Sequence, residues 1–438
     1  MSALLDALLD RDALAGALAV PQPAWLADAR RAAADVLARE GLPNARTEAW
    51  KYTNLRALEQ RTPIAGDADA TQRAIDPATL RLPSVDGPRL VFVNGVFRGD
   101  LSDRNVEPGL SISTIAAADA TALEPWRAVL TDAGGDVAAA FTRINTALAI
   151  DGPLVRVADG ARIAAPLHLV FVGASGEREV AWNARALVAL GAGASLRIVE
   201  HHVGTGTGAP TFGNVVSHYA LDARARLDLA QIQDASSDAT LIRRSRVAVG
   251  EEATIATHTL EIGAQLARHD FEVALDGRGA RLASRGVFAL RARQHCDTHL
   301  DIRHVARDTA SDIVWRGVAD QRARGVFHGA ITVAAGADGA DASLSNKNLL
   351  LSPNAEIDTQ PVLEIHADEV KAAHGATVGQ LDERALFYLR SRGLPPDAAR
   401  HLLIAAFCNA VFAGLEPEAL RAHVDAMIAS RLPRSEDA

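Results

Sequence analysis

The chain has 438 residues, 48% of them apolar and 4% aromatic, with a formal net charge of -9 and a pI near 5.9. That length and apolar content suit a globular protein of about three domains at roughly 150 residues each, and the acidic balance gives no general attraction to nucleic acid or an anionic membrane. Two cysteines, Cys296 and Cys408, exclude a disulfide framework and a self-contained four-cysteine zinc or iron–sulfur site, and the lysines at 51, 347 and 371 fit no Gly-x-x-x-x-Gly-Lys-Ser/Thr phosphate loop.

Acids interrupt each apolar run of the N-terminus, Met1-Ser-Ala-Leu-Leu-Asp-Ala-Leu-Leu-Asp10, which argues against a signal peptide or membrane span and for a cytoplasmic protein. Leu26, Ala29, Ala33, Val36 and Leu37 recur at helical spacing ahead of Gly41, so a helix is expected over about 25–40. Thr47-Glu-Ala-Trp50-Lys51-Tyr52-Thr53 is an aromatic and basic cluster, read as local packing. Residues 60–84 are polar and proline-punctuated, an irregular arm. Asn94-Gly95 between apolar runs signals a hairpin over Leu90 to Arg98. Two short helical patterns, near 123–131 and 137–148, lead to the turn Asp151-Gly-Pro153. Residues 1–152 are therefore expected to form a mostly helical N-terminal domain with a small hairpin.

From Leu154 helical periodicity gives way to valine, isoleucine and leucine alternating with polar residues, and no proline occurs between Pro210 and Pro353. Within this stretch a phrase recurs: Val188-Ala-Leu190, Tyr219-Ala-Leu221, Val247-Ala-Val249, Val273-Ala-Leu275 and Ile331-Thr-Val333. Its third residues lie 31, 28, 26 and 58 positions apart, the last gap being two periods. Self-similarity at such a period points to a solenoid whose turns bury apolar faces on one another. The expected fold is mainly β, with a right-handed parallel β-helix core over 153–372 flanked by N-terminal and C-terminal α-helical domains. An antiparallel barrel or jelly roll is the alternative.

The tail, 373–438, reads as helical. Asp382 can cap a helix ending at Gly393, Pro395-Pro396 opens a second bearing Leu402, Leu403, Phe407 and Val411, and a third spans about 416–431. His374, a lone histidine beside Gly375 where the strands give way to these helices, is the candidate ligand, since neutral imidazole suits iron and zinc. His295-Cys296-Asp297-Thr298-His299 has metal-site residue types. Strand alternation, however, puts His295, Asp297 and His299 on one face and Cys296, Leu300, Ile302 and His304 on the other, an inward one. The outward His295 and His299 support an alternative reading as a metal-dependent enzyme of cupin or β-helix type. His201-His202 precedes a glycine-rich loop without a nucleotide-binding setting, and Cys408 lies mid-helix among apolar residues, a small core residue.

Leu363-Glu-Ile-His-Ala-Asp-Glu-Val-Lys-Ala-Ala-His374-Gly-Ala-Thr-Val-Gly, followed by Leu386-Phe-Tyr-Leu-Arg-Ser-Arg-Gly393, resembles the SufB/SufD family of the SUF iron–sulfur cluster assembly system, in its SufD form. Glu48-Ala-Trp-Lys-Tyr-Thr53 resembles the family's N-terminal signature, and Gly329-Ala-Ile-Thr-Val with Asn348-Leu-Leu-Leu-Ser352 its core. The resemblance implies a β-helix between helical domains that pairs with SufB through its core and docks the ATPase SufC on its C-terminal helices. It implies a non-catalytic scaffold subunit of a SufB–SufC–SufD complex, holding no stable cofactor alone and sharing a transient iron–sulfur cluster with SufB. It implies also that His374 is a ligand of that nascent cluster at the SufB interface. Ala372 stands where many relatives carry cysteine, so no thiolate is available there. Without SufB, a homodimer through the core is the expected substitute, since solenoid edges invite association.

Overall fold

The computed structural model describes residues 2–67, 69–132 and 134–432. From Pro153 to Gly379 successive strands belong alternately to two ten-stranded sheets, and from Val180 onward each pairs in parallel with the strand two before it, which is a parallel β-solenoid. The register reproduces the sequence repeat: Leu190 pairs with Leu221, and the row continues through Val249, Leu275, His304, Val333 and Ile365. The interval of 58 residues is thus two turns. The turn that lacks the phrase is the strand His295–His304, where a histidine takes the leucine position.

Side chains two apart share a face, and parallel pairing carries each face from turn to turn. Alternating Val, Leu and Ile therefore fill the interior as continuous rows, and Cys296, Leu300 and Ile302 are buried in them as expected. One corner between the sheets is held by a ladder of backbone bonds, from the N–H of Gly193, Arg224, Glu252, Gly279 and Asp308 to the carbonyl oxygens of Ala223, Glu251, Arg278, Arg307 and Asp338. Each donor has positive φ, between 54° and 72°, a conformation that costs little in glycine and more elsewhere.

The outer faces carry the helices. Ala24–Glu40, ended by Gly41 at φ 77°, packs on Ala140–Leu148, and Phe141 and Ile144 of the latter bury Ala181, Phe212 and Ile242 of the first sheet. Of the C-terminal helices Glu383–Ser391, Pro396–Asn409 and Glu418–Arg431, the last two lay Ile404, Cys408, Val424 and Ile428 against Val199, Ile232, Leu260 and Val287 of the second sheet. Asp382 caps the first of them, its Oδ1 accepting from Arg384 N at 2.8 Å. Burial pushes the Cys408 thiol up to about 12, the chemistry of a core residue. The hairpin pairs Arg89–Val93 with Val96–Phe97 through Asn94-Gly95, both at positive φ.

Two boundaries differ from expectation. Arg89–Val93 and Leu110–Thr114, inside the region expected to be mostly helical, join the two sheets. At the other end the last strand, Lys371–Gly379, runs past residue 372, so His374 lies within the solenoid rather than in a loop after it. Among the described residues no helix is long and apolar enough to cross a membrane.

Candidate functional site

Among the described residues nothing covers the last turn of the solenoid. Its final strands, Glu356–Ile365 in the first sheet and Lys371–Gly379 in the second, each pair on one side only. The C-terminal helices pack on the outer face of the second sheet and leave this end open, with Ile365 42% and Val378 41% exposed. Unpaired N–H and C=O groups along a strand with apolar side chains beside them form a template for another chain.

His374 pairs with Leu344, which pairs with Ile313, and both of these are inward core residues. It therefore closes an inward row, at a turn with nothing stacked beyond it, and it is exposed. Ile365 ends the Leu190 row in the same way. Asn348 braces the strand from below, its Nδ2 donating to Thr377 O at 3.1 Å, and a Cβ added at Gly375 would meet open space. The open end thus displays the His374 imidazole beside apolar row ends. Ala372 occupies the same inward face two residues earlier. Phe387 and Tyr388, on the helix that follows in the chain and has no buried residue, are 72% and 57% exposed.

His295 and His299 do not assemble into a metal centre. The segment Thr47–Thr53 straps over their strand: Trp50 is buried, its ring 3.9 Å from the Arg268 guanidinium, and Trp50 Nε1 donates to Ala138 O at 3.2 Å. Thr53 Oγ1 donates to Asp297 and lies 2.9 Å from His295 Nε2, Arg268 Nη1 donates to Asp297 Oδ2 at 2.6 Å, and His299 Nε2 sits 2.9 Å from Asp297 Oδ1. Against the push of burial, Arg268, His299 and Thr53 hold the Asp297 carboxyl well below the usual range. The His299 ring stacks on His328 at 4.8 Å. Among the described residues no three His, Cys, Asp or Glu side chains are placed to hold a metal ion. These residues bind the N-terminal strap to the core, so Trp50 is structural as expected, but it packs on Phe141 and Arg268, far along the chain, rather than locally. Cys296 is fully buried two strands in from the end of the first sheet, its thiol pushed far up by burial, so it does not reach the open end.

A buried polar group inside the solenoid was not singled out by motif. Tyr219 Oη donates to Glu200 Oε2 at 2.5 Å, His202 Nε2 lies 2.6 Å from Glu200 Oε1, and Arg243 pairs with Glu261 beside His269. Burial raises the Glu200 carboxyl, but His202, Arg243 and Tyr219 outweigh it and hold it at about 2. Its signal was the phase of alternation: Arg243 shares a face with Leu241 and Val247, whereas Arg244 and Arg246 point outward to Glu272.

A family model described as SUF system FeS cluster assembly, SufBD core domain, matches residues 171–407, and one described as SufBD protein N-terminal region matches 15–169. The chain is 32% identical over 403 residues to the iron–sulfur cluster assembly protein SufD of Escherichia coli, covering 91% of each chain. It is 32% identical over 400 residues to an iron–sulfur cluster assembly SufBD family protein of Synechocystis, covering 88% of this chain and 86% of that one. To SufD of Bacillus subtilis the identity is 26% over 291 residues, 66% of each chain.

Proposed function

The chain belongs to the SufBD family of the SUF iron–sulfur cluster assembly system, and we propose that it serves there as a non-catalytic scaffold subunit, pairing with SufB through the open end of its solenoid. The observation that carries this reading is that inward rows of the core stop at Ile365 and His374 on strands with a free edge. A second solenoid end placed against them would pair the edges and cover the apolar row ends. The exposed Phe387 and Tyr388 offer a separate surface for the ATPase SufC. His374 would then stand inside the seam between two subunits, as an imidazole donor to a nascent iron–sulfur cluster that is cargo rather than a resident cofactor. With alanine at 372, the remaining soft donors would come from the partner. ATP hydrolysis in SufC would bias the seam between closed and open states through the C-terminal helices, which requires SufC to contact the two states differently. The setting is the cytoplasm.

The test is co-expression with the organism's own SufB and SufC. The expected result is a complex that co-purifies, in which His374→Ala leaves composition intact but lowers the yield of reconstituted cluster, read from its visible absorbance, at least several-fold. Failure to capture either partner overturns the scaffold reading, and full cluster yield from the variant removes His374 from it.

A further inference from the structure

Two grooves on the outer face of the first sheet, of about 480 and 290 Å³, meet at Trp126 and Ala220 and together fall in the size range of small-molecule sites. Their floor is the outward row Ala189, Ala220, Ala248 and Ala274, the middle residues of the repeated phrase, so the residues that flank the core rows leave a shallow channel on the outside. Half-buried Trp126 forms a wall common to both.

Small residues alone would mean little, but a polar group beside the channel lacks a partner. His218 lines the second groove at 4% exposure, and its Nε2 has no hydrogen-bond partner among the described residues. Behind it lies Arg185, fully buried, whose guanidinium donates to Asn145 Oδ1, Val129 O and Thr146 Oγ1 at 2.9 to 3.3 Å. Arg30 nearby donates only to Gln22 and to the carbonyl oxygens of Thr146, Ala147 and Ala149. Neither arginine forms an ion pair among the described residues, a rare arrangement for buried cations. Of the acids near the channel, Asp119 on the first groove accepts from Ala122 N, Asp132 pairs with Arg246 and Glu272 with Arg244 and Arg246, while Asp301, at the far end, has only the nearby charges of Arg303 and Arg244 among the described residues. Positive charge is thus left over on the His218 side. Burial first, then Arg185 and Arg246, keep the imidazole neutral, with one ring nitrogen free to carry a donor proton.

We infer that the joined groove binds a small flat aromatic carboxylate, its ring on the alanine floor against Trp126 and its carboxylate hydrogen-bonded to His218 in the field of Arg185. This site lies away from the open end and stands independently of the scaffold reading.

Isothermal titration of the full chain with naphthalene-2-carboxylate tests it, with uncharged naphthalene-2-carboxamide as the charge control. The expected result is saturable one-to-one binding, at least tenfold weaker for the amide, and at least tenfold weaker for the acid in His218→Leu and in Trp126→Ala. Phe387→Ala, on the exposed helix, should bind like the native chain. If His218→Leu fails to fold, Trp126→Ala decides, since Trp126 is only half-buried. No saturable binding, equal affinity for acid and amide, unchanged affinity in the folded groove variants, or loss of binding in Phe387→Ala would each overturn the proposal.

Discussion

His304 shows how one residue can carry a structural role that its neighbours conceal. It occupies the inward row filled elsewhere by Leu190, Leu221, Val249, Leu275 and Val333, and the repeat was invisible at this turn for that reason. The fold tolerates it because both ring nitrogens are satisfied, Nδ1 by Thr309 Oγ1 at 2.8 Å and Nε2 by Ser311 Oγ at 2.9 Å. Both hydroxyls can accept as well as donate, so what resists a second proton is desolvation: burial pushes the pKa down to about 4, with Asp341 opposing weakly. The unfolded chain, titrating near 6.5, binds a proton in this window that the native state refuses. Stability is therefore lost as pH falls from about 6.5 toward 4, at up to about 1.4 kcal/mol per unit from this group. Urea unfolding at pH 7 and pH 5 should show a smaller loss for His304→Leu, which restores the row, than for the native chain. Buried His201 and His258 contribute similar slopes to both proteins, so the difference between the two isolates His304. Equal losses would mean that His304 is already protonated in the fold. His374 is the opposite case. Its motif singled it out as a ligand candidate, but only the register with Leu344 reveals that it ends a core row.

At the scale of elements, the solenoid period was legible because the Val-Ala-Leu phrase repeats in step with the turns, and the long helices were legible from their spacing and caps. The turns were less so. The corner that needs positive φ is glycine at 193 and 279 but Arg224, Glu252 and Asp308 at the other turns, so glycine marks the corner unevenly. Other glycines lie inside strands, where they make room for aromatic rings on the neighbouring strand. Gly286 is in register with Trp315, whose indole would stand 2.3 Å from a Cβ added there, and Gly213 makes similar room for Trp182. Trp315 is fully buried and held by its Nε1–H to Ser284 Oγ at 3.2 Å, so it cannot swing away cheaply. Gly286→Ala is expected to cost about 1–3 kcal/mol by overpacking, seen as a lowered Tm. Combining it with Trp315→Leu should cost clearly less than the two changes summed, because the smaller side chain removes the clash. Strict additivity would show that the backbone, not the indole, sets the need for glycine.

At the scale of the whole molecule, the two solenoid ends are treated differently. The first turns are flanked by the hairpin Arg89–Val93 and Val96–Phe97 and the antiparallel strand Leu110–Thr114, which occupy edges that would otherwise be free. The last turn has no such cover among the described residues, and the charges on its strands, Glu356, Asp358, Glu364 and Lys371, lie on the outward face, off the inward rows. Along its inward rows stand Leu363, Ile365, Ala372, His374 and Val378, with Lys371 and Glu364 the charged residues nearest them in the chain. An end so exposed should find a partner of the same shape when its own is missing, and a second copy of this chain is the nearest available. The isolated protein is therefore expected to self-associate reversibly, with a sedimentation coefficient that rises with concentration. Ile365→Lys should shift that equilibrium toward monomer while leaving Tm nearly unchanged, because the side chain is already in contact with solvent and makes a small contribution to the fold. The same substitution should weaken capture of SufB and spare capture of SufC, whose proposed surface at Phe387 and Tyr388 lies on a separate helix. An Ile365→Lys chain that still self-associates and still binds SufB would place the pairing surface elsewhere, and the row ends would then need another explanation for their exposure.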